Sequence, residues 1–133
     1  ELKKVFIEHV AIRVKNIEKM RSFYQKYFNC ISNEKYTNKA KQFESYFLVF
    51  ENGARLELIK APDTTEDFKK NTGQSSGLNH IAIRIGDKDS VDKLTEKIQK
   101  DGYTILEKPR ETGDGYYESS ILDPEHNRIE IIA

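Results

Sequence analysis

Two histidines and two glutamates recur at matching positions of the chain, and together they are suited to bind a metal ion. His9 and His80 each open a short apolar stretch, and Glu57 and Glu130 each lie within another such stretch further along. Imidazole nitrogen and carboxylate oxygen favour divalent Zn, Ni, Co, Mn or Fe(II) over clusters of soft metals. A single histidine on a strand is usually structural, so the prediction of a metal site depends on the recurrence of the pair.

The sequence around these residues is repeated as well. Residues 9–14 are His-Val-Ala-Ile-Arg-Val, and residues 80–85 are His-Ile-Ala-Ile-Arg-Ile. Residues 55–59, Arg-Leu-Glu-Leu-Ile, match residues 128–132, Arg-Ile-Glu-Ile-Ile. Two matches in the same order at nearly the same interval indicate that the chain contains two copies of one supersecondary unit.

Each copy has the pattern of a strand, a helix and three further strands. In the first copy, strands are predicted at about 5–14, 31–36, 44–50 and 54–60, with a helix that begins after the N-cap Asn16. In the second copy, strands are predicted at about 78–86, 103–107, 116–122 and 128–132, with a helix that has Asp89 as a possible cap. The stretch 37–42 is polar and is predicted to be a loop. The fold class is therefore α+β.

The 133 residues suit one domain that contains both copies, so we expect a single domain over residues 1–133. Module one is predicted at 1–61 and module two at 78–133. The stretch of about 62–77 is rich in Thr, Asn, Ser and Gly and has little apolar content, so it is predicted to link the modules.

The alternation of side chains along a strand places the candidate residues on one kind of face. Residues two apart in a strand point to the same side of the sheet. The side chain of His9 therefore points to the other face from that of Val10, and the side chain of Glu57 points to the other face from those of Leu56 and Leu58. The second copy has the same alternation. The apolar faces are expected to bury against the helices. The polar faces then carry all four candidate ligands.

Charge and cysteine content limit the possible partners. The 22 basic and 22 acidic residues cancel, which argues against nucleic acid as the main partner. The single cysteine, Cys30, excludes an internal disulfide. No apolar run approaches the roughly 18 residues of a membrane span, and no signal peptide precedes the first strand. We expect a cytoplasmic protein that binds no membrane.

At these residues the sequence resembles the vicinal oxygen chelate superfamily, the group of glyoxalase I, fosfomycin-resistance thiol transferases, methylmalonyl-CoA epimerase, extradiol dioxygenases and bleomycin-resistance proteins. The resemblance covers the whole chain and implies two tandem βαβββ modules whose sheets curl into an open barrel around a metal. The metal ligands that it implies are His9, Glu57, His80 and Glu130. The turn that begins Asp123-Pro124 also fits, although many members carry Gly where this chain has His126.

The complete ligand set is most similar to that of glyoxalase I. Bleomycin-binding members lack the metal residues, and dioxygenases and fosfomycin-type transferases have no ligand at the place of Glu57. The resemblance implies a lyase that uses a divalent ion (Ni, Zn, Co or Mn) to stabilise an enediolate while a glutamate removes a proton. Glu130 is the favoured base and Glu57 the other candidate. The implied substrate is the hemithioacetal of a 2-oxoaldehyde and a thiol.

Three further residues are candidates for substrate binding. Arg13 matches an arginine that holds a carboxylate of glutathione in glyoxalase I, and a surface role is weighed equally with it. Tyr116 and Tyr117 follow two glycines and are candidates for the wall of a substrate pocket, with ordinary sheet packing as the alternative.

Other functions stay open at this point. One is another enzyme of the superfamily, such as an epimerase or a thiol transferase. Another is a small-molecule binding or resistance protein that does no chemistry, in which the aromatic side chains form a stacking cleft. The aromatic residues of that cleft are Tyr46, Phe47, Tyr116 and Tyr117. Among relatives the two modules either close one site within a chain or exchange between subunits. Of these two arrangements we favour a homodimer in which each site takes His9 and Glu57 from one subunit and His80 and Glu130 from the other.

Overall fold

The computed structural model describes residues 1–65 and 76–133. The chain divides into two compact units, Glu1–Thr65 and Glu66–Ala133. The boundary between them falls inside the predicted linker, of which residues 66–75 lie outside the described residues. Within the described part of the chain, no helix is long and apolar enough to cross a membrane.

The first unit contains one helix and five strands. These elements are β1 (His9–Arg13), α1 (Ile17–Phe28), β2 (Ile31–Ser32), β3 (Tyr36–Asn38), β4 (Phe43–Val49) and β5 (Arg55–Lys60). The strand order is β1-β5-β4-β2, and β3 also pairs with β4. β1 runs parallel to β5, whereas the other pairs are antiparallel. The first and last strands of the unit are therefore neighbours.

In its described residues, 76–133, the second unit repeats this arrangement with one helix and four strands. Its elements are β6 (Ile81–Arg84), α2 (Lys88–Lys100), β7 (Ile105–Glu111), β8 (Tyr117–Leu122) and β9 (Arg128–Ile132). The strand order is β6-β9-β8-β7, with β6 parallel to β9. The predicted α+β class built from two βαβββ modules is confirmed.

The helices begin and end where local chemistry permits. The Asn16 side chain accepts a hydrogen bond from the Lys19 amide at 3.1 Å, as expected for an N-cap, and Asn29 ends α1 in the left-handed conformation at φ +52°. In the second unit the N-cap is Asp87, which accepts from the Ser90 amide at 2.9 Å. The prediction of Asp89 was wrong because Asp87 has the extended backbone of a cap, and Asp89 lies in the first turn.

Buried side chains of each helix pack on the apolar face of its own sheet. Met20 and Tyr24 of α1 are fully buried, as is Leu58 of the neighbouring strand β5. In the second unit Val91 and Ile98 of α2 are fully buried, together with apolar residues of β8 and β9. The helix covers one face of each sheet, and the candidate ligands lie on the other face.

The strands differ from the prediction mainly at their ends. β1 begins at His9 rather than near residue 5, because its partner β5 begins at Arg55, directly opposite His9. Residues 5–7 are apolar but more than two-thirds exposed. The strand predicted at 31–36 is divided into β2 and β3 because the Asn33 side chain accepts from the Phe47 amide at 2.9 Å, in place of a main-chain acceptor. Thr37 and Asn38, predicted as loop, belong to β3.

The turn between β8 and β9 fixes the start of the strand that carries Glu130. Asp123 is buried, and its side chain accepts from the Glu125 and Asn127 amides at 2.9 Å each. His126 completes the turn in the left-handed conformation at φ +66°. Glycine adopts that conformation at no steric cost, whereas a side chain is strained there.

Candidate functional site

In the first unit, the parallel ladder between β1 and β5 brings His9 and Glu57 together. Glu57 pairs with Ala11, and His9 lies two residues before Ala11 on the same face. Nε2 of His9 is 3.7 Å from Oε1 of Glu57. The Glu57 side chain is only 14% exposed and that of His9 is 42% exposed. A shielded carboxylate therefore lies beside an accessible imidazole.

The second unit has the same relationship across its own parallel strand pair, β6 and β9. Glu130 pairs with Ala82, and His80 lies two residues before Ala82. Nε2 of His80 is 3.0 Å from Oε1 of Glu130. The exposed fractions of the two side chains, 34% and 15%, resemble those of the first pair. The two copies of the repeat therefore share a His–Glu contact as well as a sequence motif.

Each pair presents donors of the right kind to a divalent ion. Two ligands that are each about 2.1 Å from a common ion lie roughly 3 to 4 Å apart, and both nitrogen–oxygen distances fall in that range. A pair supplies two of the three or four protein ligands that such ions take. Among residues 1–65 and 76–133, no group of three or more His, Cys, Asp or Glu side chains meets at one potential metal site. The structure therefore gives two ligand pairs, one in each unit.

The sequence as a whole matches a known family. The family model described as Glyoxalase/Bleomycin resistance protein/Dioxygenase superfamily matches residues 6–131. The chain belongs to this superfamily. An uncharacterized protein of Bacillus subtilis, YqjT, is 38% identical over 60 residues, which cover 43% of this chain and 47% of that protein. The chain thus matches less than half the length of that relative.

Solved structures of this superfamily share the fold. Glyoxalase I from Zea mays matches with a TM-score of 0.76 at 23% identity, over 96% of this chain but only 44% of that protein. A glyoxalase family protein from Bacillus cereus matches with a TM-score of 0.81 at 16% identity, over 99% and 95% of the two chains. Trypanothione-dependent glyoxalase I from Leishmania major has a TM-score of 0.74 at 21% identity, over 97% and 86%. At these identities the likeness concerns the fold alone.

The sequence reasoning missed the residues that hold the two imidazole rings of this superfamily member. Glu8 Oε1 lies 2.9 Å from Nδ1 of His9, and Asn79 Oδ1 lies 2.7 Å from Nδ1 of His80. Hydrogen bonds from Arg55 and from His9 lower the pKa of Glu8 to about 2. The available signal was the position of a polar residue directly before each histidine.

A third carboxyl group of the second unit was also missed. Glu118 on β8 is two residues from Ser120, which pairs directly with Glu130, so Glu118 shares the face of Glu130. Glu118 is buried, at 7% exposure, and its carboxyl interacts electrostatically with that of Glu130. Burial, followed by the charge of Glu130, raises the pKa of Glu118. The alternation of β8 was the signal that would have placed it here.

The surroundings of the two pairs differ. In the first unit Phe47 lies directly opposite Glu57 and makes an edge contact with the His9 ring, at 5.3 Å between ring centroids. In the second unit the corresponding residue is Ser120, whose hydroxyl donates to Glu107 at 3.0 Å. An aromatic ring therefore lies beside the His–Glu pair of the first unit, whereas a hydroxyl group lies beside the pair of the second unit.

The three candidate substrate residues have different positions. Arg13 shares the face of His9, is exposed and donates to the Pro62 carbonyl at 3.5 Å. Tyr116 precedes β8 and is 45% exposed. Tyr117 points to the α2 side of its sheet, opposite the face of Glu130, and its hydroxyl donates to Asp92 at 2.6 Å.

The aromatic cleft of the binding-protein alternative is not assembled within the first unit. Tyr46 and Phe47 are adjacent in β4 and point to opposite faces. Tyr46 is buried, and its hydroxyl donates to Glu18 of α1 at 2.9 Å. It packs under the helix, and Phe47 alone accompanies the His9–Glu57 pair.

Proposed function

We propose that the protein is a metal-dependent lyase of glyoxalase I type. The observation that carries the proposal is the pair of matching His–Glu contacts, each formed across a parallel strand pair and each with the carboxylate more shielded than the imidazole. Its substrate would be a small hemithioacetal of a 2-oxoaldehyde and a thiol, and its product a 2-hydroxyacyl thioester. Its single cysteine agrees with action in the cytoplasm.

His9, Glu57, His80 and Glu130 are the residues that would hold a divalent ion such as Ni, Zn, Co or Mn. When bound, the ion would act as a Lewis acid that stabilises negative charge on substrate oxygen atoms. Each unit provides two donors, so a complete site needs both kinds of unit. Both can come from one chain, or from the two subunits of a homodimer, which is the arrangement we propose.

Glu130 is the proposed base. It would accept the proton from the carbon that carries sulfur and return it to the neighbouring carbon. The hydroxyl proton passes from the oxygen of the first carbon to that of the second, so that substrate and product are isomers. The Glu118 carboxyl lies on the same face of the sheet and interacts with it electrostatically, and His80 Nε2 lies 3.0 Å from it. Two neighbouring groups therefore restrain the carboxylate that must move a proton. Glu57 faces Phe47 instead and is assigned to metal binding alone.

Arg13 is the proposed contact for a carboxylate of the thiol part of the substrate. Its guanidinium is exposed on the face of His9, and a guanidinium is suited to bind a carboxylate through two parallel hydrogen bonds. Tyr116 is sufficiently exposed to contact substrate as well.

A matched pair of variants tests the assignment of roles. The purified protein is reconstituted with Ni, Co, Zn or Mn and assayed with methylglyoxal hemithioacetals of several thiols. Glu130→Gln is expected to lower turnover by a factor of about 10² to 10⁴ at saturating metal, as for the loss of a general base. Glu57→Gln is expected to weaken metal binding but to recover most of the turnover when metal is in excess.

The alternatives give different results in the same assays. Turnover of acyl-CoA epimers without turnover of hemithioacetals would identify an epimerase. Saturable binding of small aromatic ligands by metal-free protein, with no turnover under any condition, would identify a binding protein. Equal activity of wild type and Glu130→Gln would remove Glu130 from the mechanism.

A further inference from the structure

We infer that Glu8 is a positioning residue that sets the tautomer and orientation of the His9 ring, so that the Nε2 lone pair is available to a metal ion. The inference rests on the proposed function for its purpose, but it concerns a contact within the first unit. Glu8 Oε1 lies 2.9 Å from His9 Nδ1, and the other ring nitrogen faces Glu57.

The chemistry of this contact permits one arrangement of the proton. An ionised carboxylate accepts hydrogen bonds and has no proton to donate, so Nδ1 of His9 must be the donor. In the neutral ring, Nε2 then has no proton and can act as a ligand. Histidine ligands of metals usually donate their other ring nitrogen to a carboxylate or carbonyl, which fixes the ring and raises its basicity.

Glu8 is itself held in place by Arg55. Nε of Arg55 donates to Oε2 of Glu8 at 2.8 Å, and Nη2 donates to Oε1 at 2.6 Å. The main chain contributes a third bond, from the Arg55 amide to the Glu8 carbonyl at 2.9 Å. The guanidinium lies 4.1 Å from the centroid of the Phe47 ring. Phe47 in turn touches His9, so carboxylate, guanidinium and imidazole form a closed set of contacts.

In the second unit an amide, rather than a carboxylate, is the partner of Nδ1 of the histidine. Nδ1 of His80 lies 2.7 Å from Oδ1 of Asn79. An amide group carries both an acceptor and donors, so by rotation it can satisfy either tautomer of the ring. The carboxylate of Glu8 can satisfy only one. The two histidines therefore differ, and the influence of the preceding residue is greatest at His9.

The test uses the full chain and three variants. Glu8→Ala removes the acceptor, Glu8→Gln replaces the carboxylate with an amide, and Glu51→Gln is the matched control at an exposed glutamate of the same unit. Because the Glu8 side chain is half exposed, these changes are expected to leave the unit folded. Long-range ¹H–¹⁵N spectra of the imidazole rings report the tautomer without metal, and competition titrations report the Ni and Zn dissociation constants.

We expect wild type and Glu51→Gln to carry the His9 proton on Nδ1. Glu8→Ala should lose that preference and bind metal about 10- to 100-fold more weakly, with Glu8→Gln in between. An unchanged tautomer or an unchanged dissociation constant in Glu8→Ala would overturn the inference. If wild type binds none of the metals, the proposed function fails, and the spectra still decide whether Glu8 sets the tautomer.

Discussion

Nε2 of His80 lies 3.0 Å from Oε1 of Glu130, across the parallel ladder that joins β6 to β9. Ala82 lies two residues after His80 in the chain and pairs directly with Glu130 on the neighbouring strand. A methyl side chain at that position leaves room beside the carboxylate. Ala11 has the same position opposite Glu57 in the first unit. Small residues at these two positions are therefore part of the candidate site.

Enlarging Ala82 should separate metal binding from stability. Ala82 is exposed, and valine is more favourable than alanine in a strand, so Ala82→Val is expected to leave the free energy of unfolding unchanged or slightly higher. The added methyl groups crowd the space beside Glu130, and we expect the metal dissociation constant to rise by about tenfold or more. Urea unfolding and metal titration of the same sample measure both effects. A destabilised variant with unchanged metal affinity would contradict this account.

Glu118 should destabilise the metal-free protein at neutral pH. Burial and the charge of Glu130 raise its pKa in the folded state. A carboxyl with a raised folded pKa stabilises fully below its unfolded pKa, and that contribution is lost as the pH rises through the folded value. Glu118→Gln is therefore expected to be more stable than wild type at about pH 8, by an amount on the order of 1 kcal/mol, with the difference disappearing in acid.

Thermal and urea unfolding from about pH 4 to 8 would measure that trend. Glu96→Gln, a change at an exposed glutamate of α2, serves as the control for a generic loss of charge. If Glu118→Gln follows wild type at every pH, the two carboxyl groups do not interact as described.

Glu8 should show the opposite dependence on pH. Arg55 and His9 lower its pKa from 4.5 to about 2 in the folded state. A depressed folded pKa gives a contribution that is present above the unfolded pKa and is lost as the pH falls through the folded value. Between about pH 5 and pH 2, wild type should therefore lose more stability than Arg55→Gln, which lacks the contact. Urea midpoints at both pH values measure it, and equal losses would contradict the assignment.

His126 offers a stabilising substitution outside the site. Its backbone has φ +66°, which glycine adopts without strain. His126→Gly is expected to raise the free energy of unfolding by about 0.5 to 1 kcal/mol, because the relief of strain exceeds the added freedom of the unfolded chain. Thermal unfolding measures the change, and metal affinity should stay constant. A lower melting temperature would show that the His126 side chain contributes contacts that outweigh the strain.

The internal repeat allowed much of the fold to be predicted from the sequence. The matches around His9 and His80, and around Glu57 and Glu130, located the four strands that carry the candidate ligands. The order of the strands and the parallel pairing of β1 with β5 and of β6 with β9 were not among the sequence predictions and come from the structure. Alternation then placed each His and Glu on the face away from the helix, where the structure has them.

Other features depend on contacts that no local pattern encodes. The late start of β1 is set by where β5 begins, some 45 residues away in sequence. The division of β2 from β3 depends on a side-chain bond from Asn33. Glu118 is separated by twelve positions from Glu130, and only the antiparallel register of β8 and β9 brings the carboxyl groups together. Tyr117 was predicted to contact substrate, but its hydroxyl donates to Asp92 of α2, on the face of the sheet opposite that of Glu130.

The most direct test of the central claim is the metal content of purified protein after reconstitution with Ni, Co, Zn or Mn. Wild type is compared with His9→Ala and His80→Ala, one from each unit, and with His126→Gly as a control at the third histidine. We predict about one ion per chain in wild type and the control, and loss of the ion in both ligand variants. No bound metal in wild type, or equal metal in all four proteins, would contradict the account.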